Sequence, residues 1–182
     1  LTDASEALAL VRQFGLRRLE GVLLGARAVS LLRRSELEQA EDHARTALAI
    51  LREFGTSPDE AAVLGDLGTI RKLRGDMDEA VTLYAQSLSV ARAVGNRRVL
   101  GIQLSNLGVY EAQRGDRRRA AERFEEALEI HRALHNRRPE AVAMGNLALA
   151  LSQLDEHDRA EALMREARTI HLELANPRYA AI

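Results

Sequence analysis

An all-α fold of stacked antiparallel helix pairs, an α-solenoid, is predicted by three features of this 182-residue sequence. Motifs recur at a fixed offset of 40 residues: Leu67-Gly68, Leu107-Gly108 and Leu147-Ala148 align, as do Gly75-Asp76 and Gly115-Asp116, and the alanines 40, 80, 120 and 160. Within each copy the apolar residues are spaced by three and four, which places them on one helical face. Glycine recurs where these helices should end, and Ser, Asp or Asn where the next should begin. A long fixed period of helical units, each unable to bury its apolar face alone, specifies neighbours that stack in order.

The register divides the chain. Residues 1–15 read as the second helix of a partial repeat, 16–55, 56–95, 96–135 and 136–175 as four whole repeats, and 176–182 as the start of another, with Asn176-Pro177-Arg178 aligned on Asn136-Arg137-Arg138. The expectation is a single solenoid cut from a longer array. In the first helix Ala4, Ala7, Leu8, Val11 and Phe14 share a face and Gly15 ends it. The first whole repeat should hold helices near 17–33 and 36–54, the second starting at Ser35 or Glu36. It is the least regular copy, because Arg27 stands where the others have Leu67, Leu107 and Leu147, so this helix is expected to be rotated or slipped by a residue.

The second repeat is punctuated most clearly, with Ser57 as N-cap before Pro58 and Asp76-Met77-Asp78-Glu79 as a capping box. Asn96 and Asp116 cap the helices of the third repeat, and Asn136 with Asp155 or Glu156 those of the fourth. Leu64, Leu67 and Gly68 should be buried from one helix of the pair, and Ala80, Tyr84, Ser87 and Leu88 from the other. Glycine costs roughly 1 kcal/mol against alanine inside a helix. Gly68 and Gly108, with Ala148 at the same place, are therefore read as sites of close helix approach.

Composition narrows the function. At 46% hydrophobic and 29% charged the chain can bury a core and is not a disordered segment. Without cysteine it has no disulfide, thiolate metal site or cysteine nucleophile. A formal net charge of −1 gives no basic field to draw the chain to nucleic acid or an anionic membrane, and neither is expected as a partner. The run from Gly21 to Leu32 is broken by Arg27 and too short to span a bilayer, and the first residues lack a signal-peptide pattern, so the expected compartment is the cytoplasm. Lys72 is the one lysine among 26 basic residues, a bias that points to a bacterial, GC-rich gene.

Leu67-Gly68, Ala80, Tyr84 and Ser87, followed by Leu107-Gly108, Ala120, Phe124 and Ala127, resemble the Leu-Gly, Ala, aromatic and Ala signature of the tetratricopeptide repeat (TPR). The usual period of that family is about 34. The longer period here is similar to the variety in kinesin light chains, spindle-orientation adaptors and bacterial regulators. Leu64, Leu104 and Met144 replace the family's early aromatic, and its late proline is absent.

The resemblance implies a right-handed superhelix whose first helices line a concave groove. Register then supplies the groove stripes: Ala62, Asp66, Thr69 and Leu73; Ile102, Asn106, Val109 and Gln113; Val142, Asn146, Leu149 and Gln153. Asp66, Thr69, Asn106, Val109, Gln113, Asn146, Leu149 and Gln153 are the candidate partner-binding residues. Asp66, Asn106 and Asn146 share one register position. An asparagine amide both donates and accepts, which suits it to the backbone of an extended peptide, as in the related adaptors; the alternative is that these amides bond to one another or to nearby backbone. Gly65 and Thr69 stand where the carboxylate-clamp subgroup carries its lysine and asparagine, so a chaperone-tail receptor is not expected.

Other polar clusters read as structure. Arg17-Arg18, Arg97-Arg98 and Arg137-Arg138 recur at inter-repeat loops, where solvated charge is the ordinary explanation. Arg117-Arg118-Arg119 opposes a helix dipole that Glu122, Glu125 and Glu126 lie close enough to offset. His131 and His171 occupy a packing position held by Leu51 and Ala91 elsewhere; no carboxylate completes a ligand set with His135, and HExxH is absent, so no metal or cofactor is expected. No catalytic constellation can be placed. The sequence therefore predicts a non-enzymatic module that binds a peptide segment of a partner or of its own parent, within a larger signalling or transcription-control protein. The alternative is a structural spacer. Apolar residues at the ends, Leu8, Val11 and Phe14 and then Leu163, Ile170, Leu172 and Leu174, are expected to be exposed and to promote self-association.

Overall fold

The computed structural model describes the backbone of residues 2–175 and the side chains from residue 6 onward. The expected stub at 176–182, and Ala4 in the first helix face, lie outside the described residues. Nine α-helices and no strand occur among these residues: α1 Thr2–Gln13, α2 Arg17–Arg33, α3 Leu37–Arg52, α4 Pro58–Leu73, α5 Met77–Ala93, α6 Arg97–Gln113, α7 Arg117–Ala133, α8 Arg137–Ser152 and α9 His157–Ala175. The chain forms two compact units, Leu1–Val99 and Leu100–Ile182, each described by itself below.

The short connections explain why successive helices reverse. A left-handed residue recurs every 20 positions, at Gly15, Ser35, Gly55, Gly75, Gly95, Gly115, His135 and Asp155. It is the C′ residue of a Schellman-type ending. In the Gly75 turn its N–H bonds to Lys72 O at 3.0 Å, and the Asp76 N–H reaches Arg71 O at 3.0 Å. Asp76 then caps α5, its carboxylate accepting from Glu79 N–H at 3.3 Å. One residue thus closes a helix and opens the next, which leaves no slack for anything but an antiparallel pair. The expected capping box is only half formed, because the Glu79 carboxylate turns to Arg45 and Arg71 instead of the Asp76 backbone. Ser57 does cap α4 ahead of Pro58, and Asn96 and Asp116 accept from the N–H groups of Val99 and Arg119. Asn136 precedes α8 without a side-chain bond, and the second helix of the first repeat begins after Glu36, because Ser35 is the left-handed residue.

In the first unit α2 keeps the common register despite Arg27. Leu24, Gly25 and Ala28 are buried where α4 buries Leu64, Gly65 and Gly68, so the expected rotation or slip does not occur. Arg27 is tolerated because its position is only partly covered. The small residues of the first helices face side chains more than backbone. A Cβ on Gly68 would meet the Tyr84 ring at 2.6 Å, with the Ala80 carbonyl farther away at 3.2 Å, and a Cβ on Gly108 would meet Phe124 at 2.7 Å. Where the small residue is Ala28 or Ala148, the register places Ala44 or Met164 in the aromatic position, and Met164 lies exposed.

Leu8 and Val11 are buried, and so is Ile170, contrary to the expectation that both end helices leave these faces open; Leu8 joins the core formed with α2. Phe14, Leu172 and Leu174 are exposed.

Three buried carboxylates at one register position were not expected. Glu20 and Glu60 in the first unit, and Glu140 in the second, are 5–7% exposed. Each is held by an arginine eight residues earlier: Arg12–Glu20 at 2.7 Å, Arg52–Glu60 at 3.0 Å and Arg132–Glu140 at 3.6 Å. Hydrogen bonding from Arg12 outweighs burial at Glu20 and holds its carboxyl below the ordinary value. Glu41 is buried too. Burial would raise its carboxyl, but Arg45 by hydrogen bond and Arg71, Arg45 and Arg74 by charge hold it below normal.

Candidate functional site

The predicted groove residues fall in both units. In the first, Asp66 and Thr69 lie half-buried on α4. The Thr69 hydroxyl is engaged, donating to Gly65 O at 3.1 Å and accepting from the Tyr84 hydroxyl at 3.4 Å. Asp66 makes no hydrogen bond among the described residues. Burial pushes its carboxyl up to about 6, and the charge of Arg33 offsets this only in part.

In the second unit the stripes of α6 and α8 meet. Val109, Ala112 and Gln113 of α6, Asn146, Leu149 and Ala150 of α8 and Gln153 at the C-terminal cap of α8 line a cavity of about 240 Å³ that Phe124, from α7, completes. Five of the six residues predicted here, Val109, Gln113, Asn146, Leu149 and Gln153, are thus gathered at one place. Asn106 lies outside its lining, and its amide donates to Gln103 Oε1 at 3.1 Å on the same helix. Gln153 Oε1 accepts from Arg117 Nε at 2.9 Å. Asn146 has no hydrogen-bond partner among the described residues, so its donors and acceptor stay open beside Leu149, which is 58% exposed. No charged side chain lines the cavity. Phe124, Ala112 and Ala150 escaped sequence reasoning as lining residues, since their repeat positions marked them as packing.

The 40-residue register, the small-residue and aromatic contacts at Gly68–Tyr84 and Gly108–Phe124, and the antiparallel pairs agree with a family model described as tetratricopeptide repeat, which matches residues 19–93 and 98–173. The chain belongs to the tetratricopeptide repeat family. Solved structures of similar fold include BtubC (BKLC) from P. vanneervenii, with TM-score 0.76 and 21% identity over 96% of this chain and 75% of that one. Aspartyl phosphate phosphatase F from Bacillus subtilis matches with TM-score 0.75 and 14% identity over 90% of this chain and 43% of that one. A signal transduction ATPase of the STAND type from Pyrococcus horikoshii, described as having a tetratricopeptide repeat sensor, matches with TM-score 0.71 and 18% identity over 90% and 26%. This TPR chain therefore spans less than half of the phosphatase and about a quarter of the ATPase. No curated protein sequence matches it.

Other candidates separate cleanly in the TPR framework. Arg17 and Arg137, first members of the loop pairs, are tied to Glu20 and Glu53, and to Glu140 and Glu173. Arg117 turns to Gln153 and Arg119 to Asp116, and Glu125 pairs with Arg159, so the expected local pairing of the arginine triplet with Glu125 does not form. His131 is buried, while His135 and His171 are exposed. Burial holds the His131 imidazole below its ordinary pKa, against the opposing charge of Glu140. Among the described residues no three His, Asp or Glu side chains come together as a metal site, and no helix is long and apolar enough to cross a membrane.

Proposed function

We propose that this TPR chain is the interaction module of a larger bacterial regulatory protein, working in the cytoplasm and holding an extended peptide segment of a partner, or of its own parent, against its first helices. The cavity at Asn146 carries the reading. A half-buried amide whose donors and acceptor make no bond within the protein can both donate and accept, and a peptide backbone offers the complementary pair. Phe124, Val109 and Leu149 supply apolar surface for one side chain, and the neutral lining implies affinity that depends little on salt. The tetratricopeptide repeat of the STAND ATPase is described as a sensor, a regulatory task of this kind.

The spacer reading has its own support, since Thr69 already donates to Gly65 O, Asn106 to Gln103 Oε1, and Gln153 accepts from Arg117, so these side chains are engaged without a ligand. Selection of peptides from a random display library on the whole chain separates the two. Selected peptides should lose affinity about tenfold or more on Asn146→Ala, the scale of one or two net hydrogen bonds, and also on Leu149→Asp. A library that yields no binder, or binders indifferent to both substitutions, would favour the spacer.

A further inference from the structure

Around the start of α2 the first unit breaks its own local rule. Leu16 is the N-cap residue of α2 and caps nothing with its side chain, whereas Asn96 at the equivalent position before α6 accepts from Val99 N–H, and the position before α8 holds the polar Asn136, which makes no cap bond. Leu16 is 49% exposed, and so are its neighbours in space, Leu19 at 45% and Phe54 at 51%. With Val22 they line a cavity of about 540 Å³. The equivalents of Leu19 are Asp59, the buried Val99 and Pro139; those of Phe54 are Val94 and Leu134, both half-buried, and Phe14 just after α1 and Leu174 of α9, both exposed but neither gathered with a second and third large apolar residue in this cavity. Scattered exposed apolar residues need no explanation, but three large ones gathered in one depression beside an abandoned cap do.

The charges at the rim say what kind of ligand fits. Both carboxylates here are already matched: Glu20 binds Arg12 at 2.7 Å and Arg17 at 2.9 Å, and Glu53 binds Arg17 at 3.1 Å. Arg18, which also lines the cavity, is exposed and has no ion pair among the described residues. The charge left unmatched is therefore positive, and the N-terminal end of α2 adds to it.

We infer that the Leu16–Leu19–Phe54 cavity docks an acidic-hydrophobic peptide segment, one large aliphatic or aromatic side chain entering the cavity while a carboxylate within a residue or two meets Arg18. This site lies in the first unit and is independent of the Asn146 cavity in the second. An apolar anchor supplies affinity, and the flanking carboxylate, through a charge-assisted hydrogen bond to arginine, supplies selectivity.

The test uses the whole chain and three fluorescein-labelled octapeptide pools, each with a central Leu-Phe pair and flanked by Asp/Glu, Ser/Gln or Lys/Arg, read by fluorescence anisotropy. The acidic pool should bind about tenfold more tightly than the neutral one, and the basic pool least. Arg18→Glu should abolish that order, Leu19→Ser with Phe54→Ser should remove binding of every pool, and Arg98→Glu, the same charge change at the equivalent register position, should leave the order unchanged. On the unsubstituted chain, the acidic pool should shield Arg18 from phenylglyoxal in peptide mapping, a readout independent of any variant's folding. Equal binding of the three pools, an unshielded Arg18, or a loss of the acidic preference in Arg98→Glu as large as in Arg18→Glu would overturn the proposal. So would binding to phosphatidylglycerol vesicles that disappears in the Leu19→Ser, Phe54→Ser variant, which would make the surface a membrane contact.

Discussion

Replacing Asp66 by asparagine should stabilise the protein, and by an amount that depends on pH. The carboxyl sits half-buried on α4 without a hydrogen bond, and its pKa is raised from 3.8 to about 6. A raised carboxyl means that the folded state disfavours the charge relative to the unfolded chain. The penalty is complete above about pH 6, shrinks as the pH falls through the folded value, and is gone below the unfolded value near 3.8. A shift of roughly two units corresponds to about 3 kcal/mol at most, and solvent reaching a half-buried groove position reduces this to about 1–2 kcal/mol. An amide of nearly the same shape already occupies the equivalent place as Asn106 and Asn146, so no steric cost is expected. In a chain of this size the gain is a rise in midpoint of about 2–8 °C. Thermal melts of both proteins at pH 8 and pH 4.5, compared at each pH, measure it. A variant less stable than the parent at pH 8, or an advantage of equal size at both pH values, would refute the argument from a buried unpaired charge.

Two further outcomes follow from the same coordinates. Gly68→Ala should cost about 1–3 kcal/mol by driving a methyl group into the Tyr84 ring, whereas Gly145→Ala, whose Cβ would meet nothing within 4 Å, should gain up to about 1 kcal/mol of helix propensity; urea midpoints moving in the same direction for both would contradict the packing. His135→Gly should add about 0.5–1 kcal/mol, because His135 is held at φ 52 where other connections use glycine. A lower denaturation midpoint for that variant would show that the imidazole contributes more than its backbone conformation costs.

The sequence by itself determined what is local. Helix ends follow from short-range chemistry where glycine precedes a capping residue, as at Gly75-Asp76 and Gly115-Asp116, so those turns were legible from the residues alone, whereas Ser35 and Asp155 read as possible caps and are the left-handed residues. Helical spacing likewise assigned Leu64, Leu107 and Leu147 to the buried faces, where they lie. The groove stripes came from the resemblance to the tetratricopeptide repeat, with register choosing the positions, and the second unit brings five of their residues to one cavity. Only the tertiary structure decided how those side chains are occupied. Asn106 and Asn146 are the same residue at the same register position, yet one is spent on Gln103 and the other is open, because the position three residues earlier holds Gln103 in one helix and Ala143 in the other. Arg27 looked like a break in the pattern, but the register of α2 is set by Leu24, Gly25 and Ala28 against their neighbours, and burial of several apolar groups outweighs one misplaced charge at a partly covered position. Glu20, Glu60 and Glu140 had no place in the sequence reading and are buried, since a carboxylate's burial depends on an arginine that the preceding helix brings beside it. The Leu16 cavity belongs with these, as it exists only because the end of α3 delivers Phe54 beside the start of α2.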